Sequence, residues 1–255
     1  MLVRMYAKGD VTQVADGVFL ATGTDVNWVL LADGAELTLV DGGYPGDLPL
    51  VERSVAAIGY RPQDVRAILL THAHADHMGA LGAFHRRYRT PLLVHPAELA
   101  HARREYLQQL TPARLARHLW RPATLAWAVR ILRAGAARQV AAAHARAFDS
   151  SGPLDLPGRP VPVATPGHTD GHVAYHLPGV GAVVTGDALV TGHPTSGRDG
   201  PQQIPRMFTH DPDTAAESLT VLAGLAADLV LPGHGPAWHG PVGEAARLAA
   251  APYRR

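Results

Sequence analysis

A chain of 255 residues is long enough for one large domain or two small ones around a buried core. Its 47% hydrophobic residues are ordinary for a soluble globular protein, and 23 basic against 22 acidic residues leave a net charge of +1, so bulk charge gives no argument for nucleic acid or an anionic membrane. The absence of cysteine excludes disulfides, thiolate metal ligands and cysteine nucleophiles.

The opening MLVRMYAKGD carries Arg4, Lys8 and Asp10 and no apolar h-region, so it does not read as a signal peptide. No run of about 18 apolar residues suggests a membrane span. The expectation is a cytoplasmic protein without a membrane partner. Short apolar runs at 17–22, 27–33 and 35–43, broken by Gly and Asp, read as strands. Residues 47–60 then read as a helix, with Leu50, Val51, Ser54, Val55 and Ile58 at helical spacing. A buried strand at 65–71, a helix at 78–88 and a strand at 91–95 continue a layered α/β pattern.

The span 96–147 breaks it. AELAHARREYLQQL and PATLAWAVRILRAG are helical by spacing and carry no strand signal, so the span reads as a helical insertion in a single domain covering 1–255. Strands return at 160–167, 172–179 and 181–189. A helix at 211–225, capped by Asp211 or Asp213, leads to a last strand and turn at 228–235 and a closing helix at 242–250.

The chemistry concentrates in LLTHAHADHMGA, residues 69–80, where His72, His74, Asp76 and His77 fall together. On an extended segment, side chains at i and i+2 point the same way, so His72 and His74 can grip one cation. Asp76 and His77 can face a second point as the chain turns into a helix. Zinc accepts imidazole nitrogen and carboxylate oxygen at about 2.0–2.2 Å in a tetrahedral arrangement, so distant residues must complete each site. TPGHTDGH offers His168, TGDAL offers Asp187 and LPGHGP offers His234, all where strands feed loops. A buried Asp187 carboxylate would be unfavourable unless paired or metal-bound.

THAHADH, GHTDGH, GDAL and PGHG, in that order after Asp41 in LTLVDGG, resemble the metallo-β-lactamase superfamily over roughly residues 17–236. The resemblance implies a four-layer αβ/βα sandwich with a metal centre at its rim. His72, His74 and His168 resemble the ligands of one metal, and Asp76, His77 and His234 those of a second. Asp187 resembles the bridging carboxylate. Asp41 would orient a ligand by hydrogen bonding, His172 would support the site, and Asp76 would also act catalytically on the nucleophile. The implied activity is that of a dinuclear hydrolase, with two divalent ions (Zn2+, or Fe or Mn), that uses a metal-activated hydroxide.

Departures within the superfamily narrow the branch. Zinc β-lactamases use a Cys ligand or lack the bridging carboxylate, whereas this chain has no Cys and has Asp187. Glyoxalase II builds its glutathione site largely on a helical extension, and only 255 − 234 = 21 residues come after His234 here. Acyl-homoserine lactonases carry Tyr where this chain has Val190. The RNA-processing nucleases share the first motif, but this chain lacks a basic arm. The expectation is therefore a small ester, thioester or lactone substrate and no nucleic acid. The alternative is a mononuclear iron persulfide dioxygenase using His72, His168 or His74, and Asp187. A metal-binding protein without turnover is the third reading. Within 190–212, His193, Arg198, Arg206, Met207, Phe208 and His210 are candidate substrate contacts. The insertion, with Trp120, Leu125, Trp127, Val129 and Leu132 among arginines, is expected to pack on the domain, to cover the metals as a lid, or to form a homodimer face, and not to build the metal site.

Overall fold

The computed structural model describes residues 7–138, 140–149 and 152–251; the opening MLVRMY lies outside them. Fourteen strands and eight α-helices are found among these residues. The first sheet has seven strands in sequence order: β1 (Val11–Ala15), β2 (Val18–Thr22), β3 (Asn27–Asp33), β4 (Glu36–Val40), β5 (Val65–Leu69), β6 (Leu92–Val94) and β7 (Arg146–Ala147). The first four strands pair antiparallel and β4 to β7 pair parallel. The parallel strands require crossovers: α1 (Leu48–Ala57) supplies that from β4 to β5, α2 (Ala75–Met78) and α3 (Leu81–Tyr88) that from β5 to β6, and residues 95–145 that from β6 to β7.

The second sheet is ordered β14 (Trp238–His239), β13 (Leu229–Pro232), β10 (Ala182–Gly186), β9 (Val173–Leu177) and β8 (Val161–Ala164). Only its β10–β13 pair is parallel. Helices α7 (Pro212–Ala223) and α8 (Val242–Ala250) belong to this half, and Asp211 caps α7 through the Asp213 and Thr214 amides. A small hairpin, β11 (Val190–Gly192) with β12 (Asp199–Gln202), lies between.

Strand alternation builds the layers, because successive side chains leave opposite faces of a sheet. In β3, Trp28 and Leu30 join Val51, Val55, Leu81 and Phe84 of α1 and α3, whereas Val29 and Leu31 join Val173, Tyr175 and Leu177 of the other sheet. In β10, Ala182 and Val184 face that inter-sheet core, and Val183 packs with Leu219, Leu222, Val242 and Ala245 of α7 and α8. Three apolar cores thus separate four layers: helices, sheet, sheet, helices. This is the αβ/βα sandwich expected.

Several boundaries differ from those the sequence suggests. The stretch 97–110 is helical only in a short turn and α4 (Leu99–Ala102); α5 (Pro112–Ala116) and α6 (Pro122–Arg133) carry the rest of the helical content. The span also ends in a strand, since β7 extends the first sheet. The strand at 229–232 is not the last, because β14 comes after it. The short strands β1, β11, β12 and β14 lack the long apolar runs that announce the others. No helix among the described residues is long and apolar enough to cross a membrane.

Candidate metal centre

The candidate ligands gather at the carboxyl ends of the strands, where open α/β sheets place ligands. Asp41 follows β4, and the run from Thr71 to His77 follows β5. His168 sits in the β8–β9 turn, Asp187 follows β10 and His234 follows β13. Asp41 is held at φ 65, a left-handed conformation unusual for a non-glycine residue. Gly233 is required sterically, because a Cβ there would collide with the Asp187 carboxylate.

His168 Nε2 lies 3.1 Å from His72 Nε2 and 3.0 Å from His74 Nδ1. Beside this trio stand Asp76, His77 and His234. His234 Nε2 is 3.5 Å from Asp76 Oδ2, and His77 Nε2 is 3.9 Å from the same oxygen. Asp187 spans both groups: Oδ2 lies 3.4 Å from His168 Nε2, 3.8 Å from His72 Nε2 and 3.3 Å from His234 Nε2, and Oδ1 lies 3.5 Å from His77 Nε2. All seven side chains are buried except Asp76, whose side chain is 17% exposed.

The other ring nitrogens explain why these point inward. A carbonyl oxygen only accepts, so His74 donates from Nε2 to Gln108 O at 2.6 Å, and His234 donates from Nδ1 to Asp25 O at 2.5 Å. His77 donates from Nδ1 to Asp41 Oδ2 at 2.7 Å. Thr71 donates its hydroxyl to that oxygen at 2.7 Å, leaving the hydroxyl oxygen to accept from His72 Nδ1 at 3.1 Å. Four lone pairs are thereby turned toward the cluster's interior. His77 Nε2, His234 Nε2 and Asp187 Oδ1 are buried there without a hydrogen-bond partner. Converging orphaned donors of nitrogen and carboxylate oxygen fit one or two divalent cations held by His72, His74, His168, Asp76, His77, His234 and Asp187.

The electrostatics agree. Burial, with neighbouring imidazoles, pushes His72 and His168 well below the usual histidine range, so both are neutral donors. Burial also opposes a charge on His77, but Asp41, Asp187 and Asp76 outweigh it and raise that ring to about 10. The pocket therefore calls for positive charge where Asp187, Asp76 and Asp41 converge.

His172 stands behind the cluster. It accepts the Asp187 N–H at Nε2 (3.1 Å) and meets Thr165 Oγ1 through Nδ1 (2.8 Å), and burial lowers it to about 4. Of the residues singled out in 190–212, His193 is buried with its ring 5.0 Å from His234, and Phe208 is 4.9 Å from His193. Arg206 lines a cavity of about 20 Å³ beside His168 and Asp187, enough for roughly one water. Met207 is half-buried in the turn between them. The side chains of the other two make other contacts. Arg198 reaches the Leu248 carbonyl of α8 at 3.0 Å, and His210 is half-exposed opposite Asp170 at 3.8 Å.

The chief residue that sequence reasoning misses is Glu98. It is fully buried and its carboxylate accepts four hydrogen bonds: from Ala73 N (2.7 Å), His101 Nδ1 (2.8 Å), Thr169 Oγ1 (2.9 Å) and Gly171 N (3.0 Å). His101 Nε2 in turn accepts from Gln108 N at 3.2 Å, and Gln108 O receives His74. Arg104 adds a bond to Ala73 O at 2.7 Å. The span 96–147 holds none of the seven candidate ligands, as expected, and in addition it braces both ligand-bearing loops, a role the sequence does not announce. Glutamate in a helical run reads as a solvated residue, so its sequence carries no signal of this role. Trp127 is 5% exposed and packs 5.6 Å from His193 and 5.3 Å from Phe208, whereas Trp120, Leu125 and Leu132 are exposed.

Comparison with known proteins places this geometry. The family model described as Metallo-beta-lactamase superfamily matches residues 21–234. A protein of Bacillus subtilis named probable metallo-hydrolase YflN is 29% identical over 208 residues, covering 77% of this chain and 74% of that protein. A hydroxyacylglutathione hydrolase of Ruegeria pomeroyi is 29% identical over 205 residues, covering 80% of this chain and 59% of that protein. A solved metallo-beta-lactamase family protein from Thermus thermophilus is 26% identical, with a TM-score of 0.63, covering 92% of this chain and 79% of its own.

Proposed function

This chain belongs to the metallo-beta-lactamase superfamily, and from that we propose that it is a metal-dependent hydrolase with two divalent ions, acting on a small ester, thioester or lactone. One observation carries the reading: two trios of donors, all buried but Asp76, share the Asp187 carboxylate, with their lone pairs turned inward. His72, His74 and His168 would hold one ion, Asp76, His77 and His234 the other, and Asp187 both; nitrogen and oxygen donors without sulfur suit zinc. Bound there, the ions would polarise a carbonyl and make water acidic enough to ionise near neutral pH.

The residues supply the remainder. Asp41, Thr71, Gln108 and Asp25 fix ring orientation, so the donors need little reorganisation. Asp76 is the one partly exposed carboxylate of the cluster, and its Oδ2 can take a proton from an attacking water and release it to solvent. Trp127, Phe208 and His193 form an aromatic wall beside His234, suited to the apolar part of a small substrate. The hydroxyacylglutathione hydrolase likeness favours thioesters among the three bonds.

His72, His168 and Asp187 alone also form a two-histidine, one-carboxylate set, which is the basis of the iron dioxygenase reading. Elemental analysis of protein purified without added metal, with ester, thioester, lactone and persulfide substrates tested in air and without oxygen, separates the two. Hydrolysis predicts two metals per chain and turnover indifferent to oxygen. A single iron, with oxygen consumed on a persulfide and no ester cleaved, refutes it.

A further inference from the structure

A groove of about 510 Å³ lies away from the metal centre, between the carboxyl end of α3, the end of α4 and β7. Its chemistry is one-sided. Five of its eight lining residues are basic, namely His85, Arg89, Arg103, His144 and Arg146, and none is acidic. The whole chain is nearly neutral, so this is a local concentration of charge. Among the described residues no carboxylate within 4.0 Å pairs with Arg89, Arg103 or Arg146, unlike Arg61, Arg66 or Arg87, so their charge is not already neutralised by an ion pair. Arg103 is fixed in place by donating from Nη2 to Ala145 O at 3.0 Å.

The two histidines add a second, independent sign. Their rings stack at 3.9 Å with an angle of 13° between planes, and the His144 Nε2 is buried without a hydrogen-bond partner. Burial, then His85 and Arg86, hold His144 below its ordinary value.

We propose that this groove binds a small phosphate-bearing anion, at a site distinct from the metal centre. Three guanidinium forks exceed what one carboxylate can satisfy, whereas a phosphate or diphosphate group presents enough oxygens for several charge-assisted bonds. The volume falls within the range of about 300–1,000 Å³ typical of small-molecule pockets.

The test is calorimetric titration of the metal-loaded protein with inorganic phosphate and with ADP, comparing wild type with Arg89→Gly/Arg146→Ala. Arg89 has φ 62, which glycine adopts without strain, and Arg146 is exposed, so the double variant should fold with unchanged metal content. Arg146→Glu provides a second variant at the same exposed strand. Saturable binding by the wild type, weakened about tenfold or more in either variant, supports the site. Binding equal in all three proteins places the anion on the metals and overturns it, as does no binding by the wild type. Binding of a single-stranded oligonucleotide without any binding of phosphate or ADP also overturns it, in favour of a nucleic-acid surface.

Discussion

His74 Nε2 donates to the main-chain oxygen of Gln108 at 2.6 Å, across 34 residues of sequence. The bond leaves Nδ1 of His74 facing His168, and it depends on Gln108 being held by His101, which is held by Glu98. One end of this chain of bonds is a candidate metal ligand. The other is a carboxylate that also receives the Thr169 hydroxyl and the Gly171 amide from the His168 loop.

Glu98→Gln should therefore destabilise the protein by about 2–4 kcal/mol, because an amide presents a donor to at least one buried donor. Burial by itself would raise the Glu98 carboxyl, but His101, the Ala73 amide and Thr169 together lower it below its ordinary 4.5. A depressed folded value means stability that is present above about 4.5 and lost as pH falls through the folded value. Urea unfolding between pH 6 and pH 3 should show a steeper loss in wild type than in the variant. Equal slopes would mean that Glu98 is not the source of that acid sensitivity.

His101→Ala removes the acceptor for the Gln108 amide without replacing a candidate ligand. Metal affinity, measured by competition with a chromogenic chelator, should fall about 10–100-fold, as for other residues that orient ligands. Affinity unchanged within error would show that Gln108 holds its place without the ring.

Asp187→Ala should lose metal occupancy and turnover together, since the carboxylate between the two trios reaches His77, His168 and His234 alike. Elemental analysis reads this directly. Two metals retained with normal turnover would remove Asp187 from the bridging position.

Trp127→Ala should leave metal content intact and raise KM or shift preference among acyl groups, because the ring stands against His193 and Phe208 and not against a ligand. The ring is buried, so a stability loss of about 3 kcal/mol should accompany the change. A loss of stability with kinetics unchanged would make this helix core packing alone.

Chelation by EDTA should lower the melting temperature as well as abolish activity, because the cations would neutralise the convergence of Asp41, Asp76 and Asp187. Differential scanning calorimetry before and after re-addition of zinc measures it. A melting temperature indifferent to metal would mean that the imidazoles alone satisfy those carboxylates.

The order of motifs along the chain was enough to read four layers and to nominate seven converging side chains. Strand alternation, helical spacing and the i, i+2 placement of His72 and His74 are local properties, and local geometry transmits them directly into structure. The short strands β7 and β14 were illegible, because two residues hold no period and exist only where a neighbouring strand offers its edge. Glu98 was illegible for the same kind of reason. Its partners lie 3 to 73 residues away, and nothing in AELAHARREYLQQL distinguishes a glutamate facing solvent from one facing four donors. Arg198 and His210 were placed by contacts the sequence does not show: the β11–β12 hairpin carries Arg198 to α8, and a bond to His168 O fixes the His210 backbone while its ring stays half-exposed. Which residues could bind a metal was written in the chain's chemistry. Which residues hold those donors in place was decided only by the folding of distant segments against one another, where a buried polar group must find a partner wherever the backbone brings one.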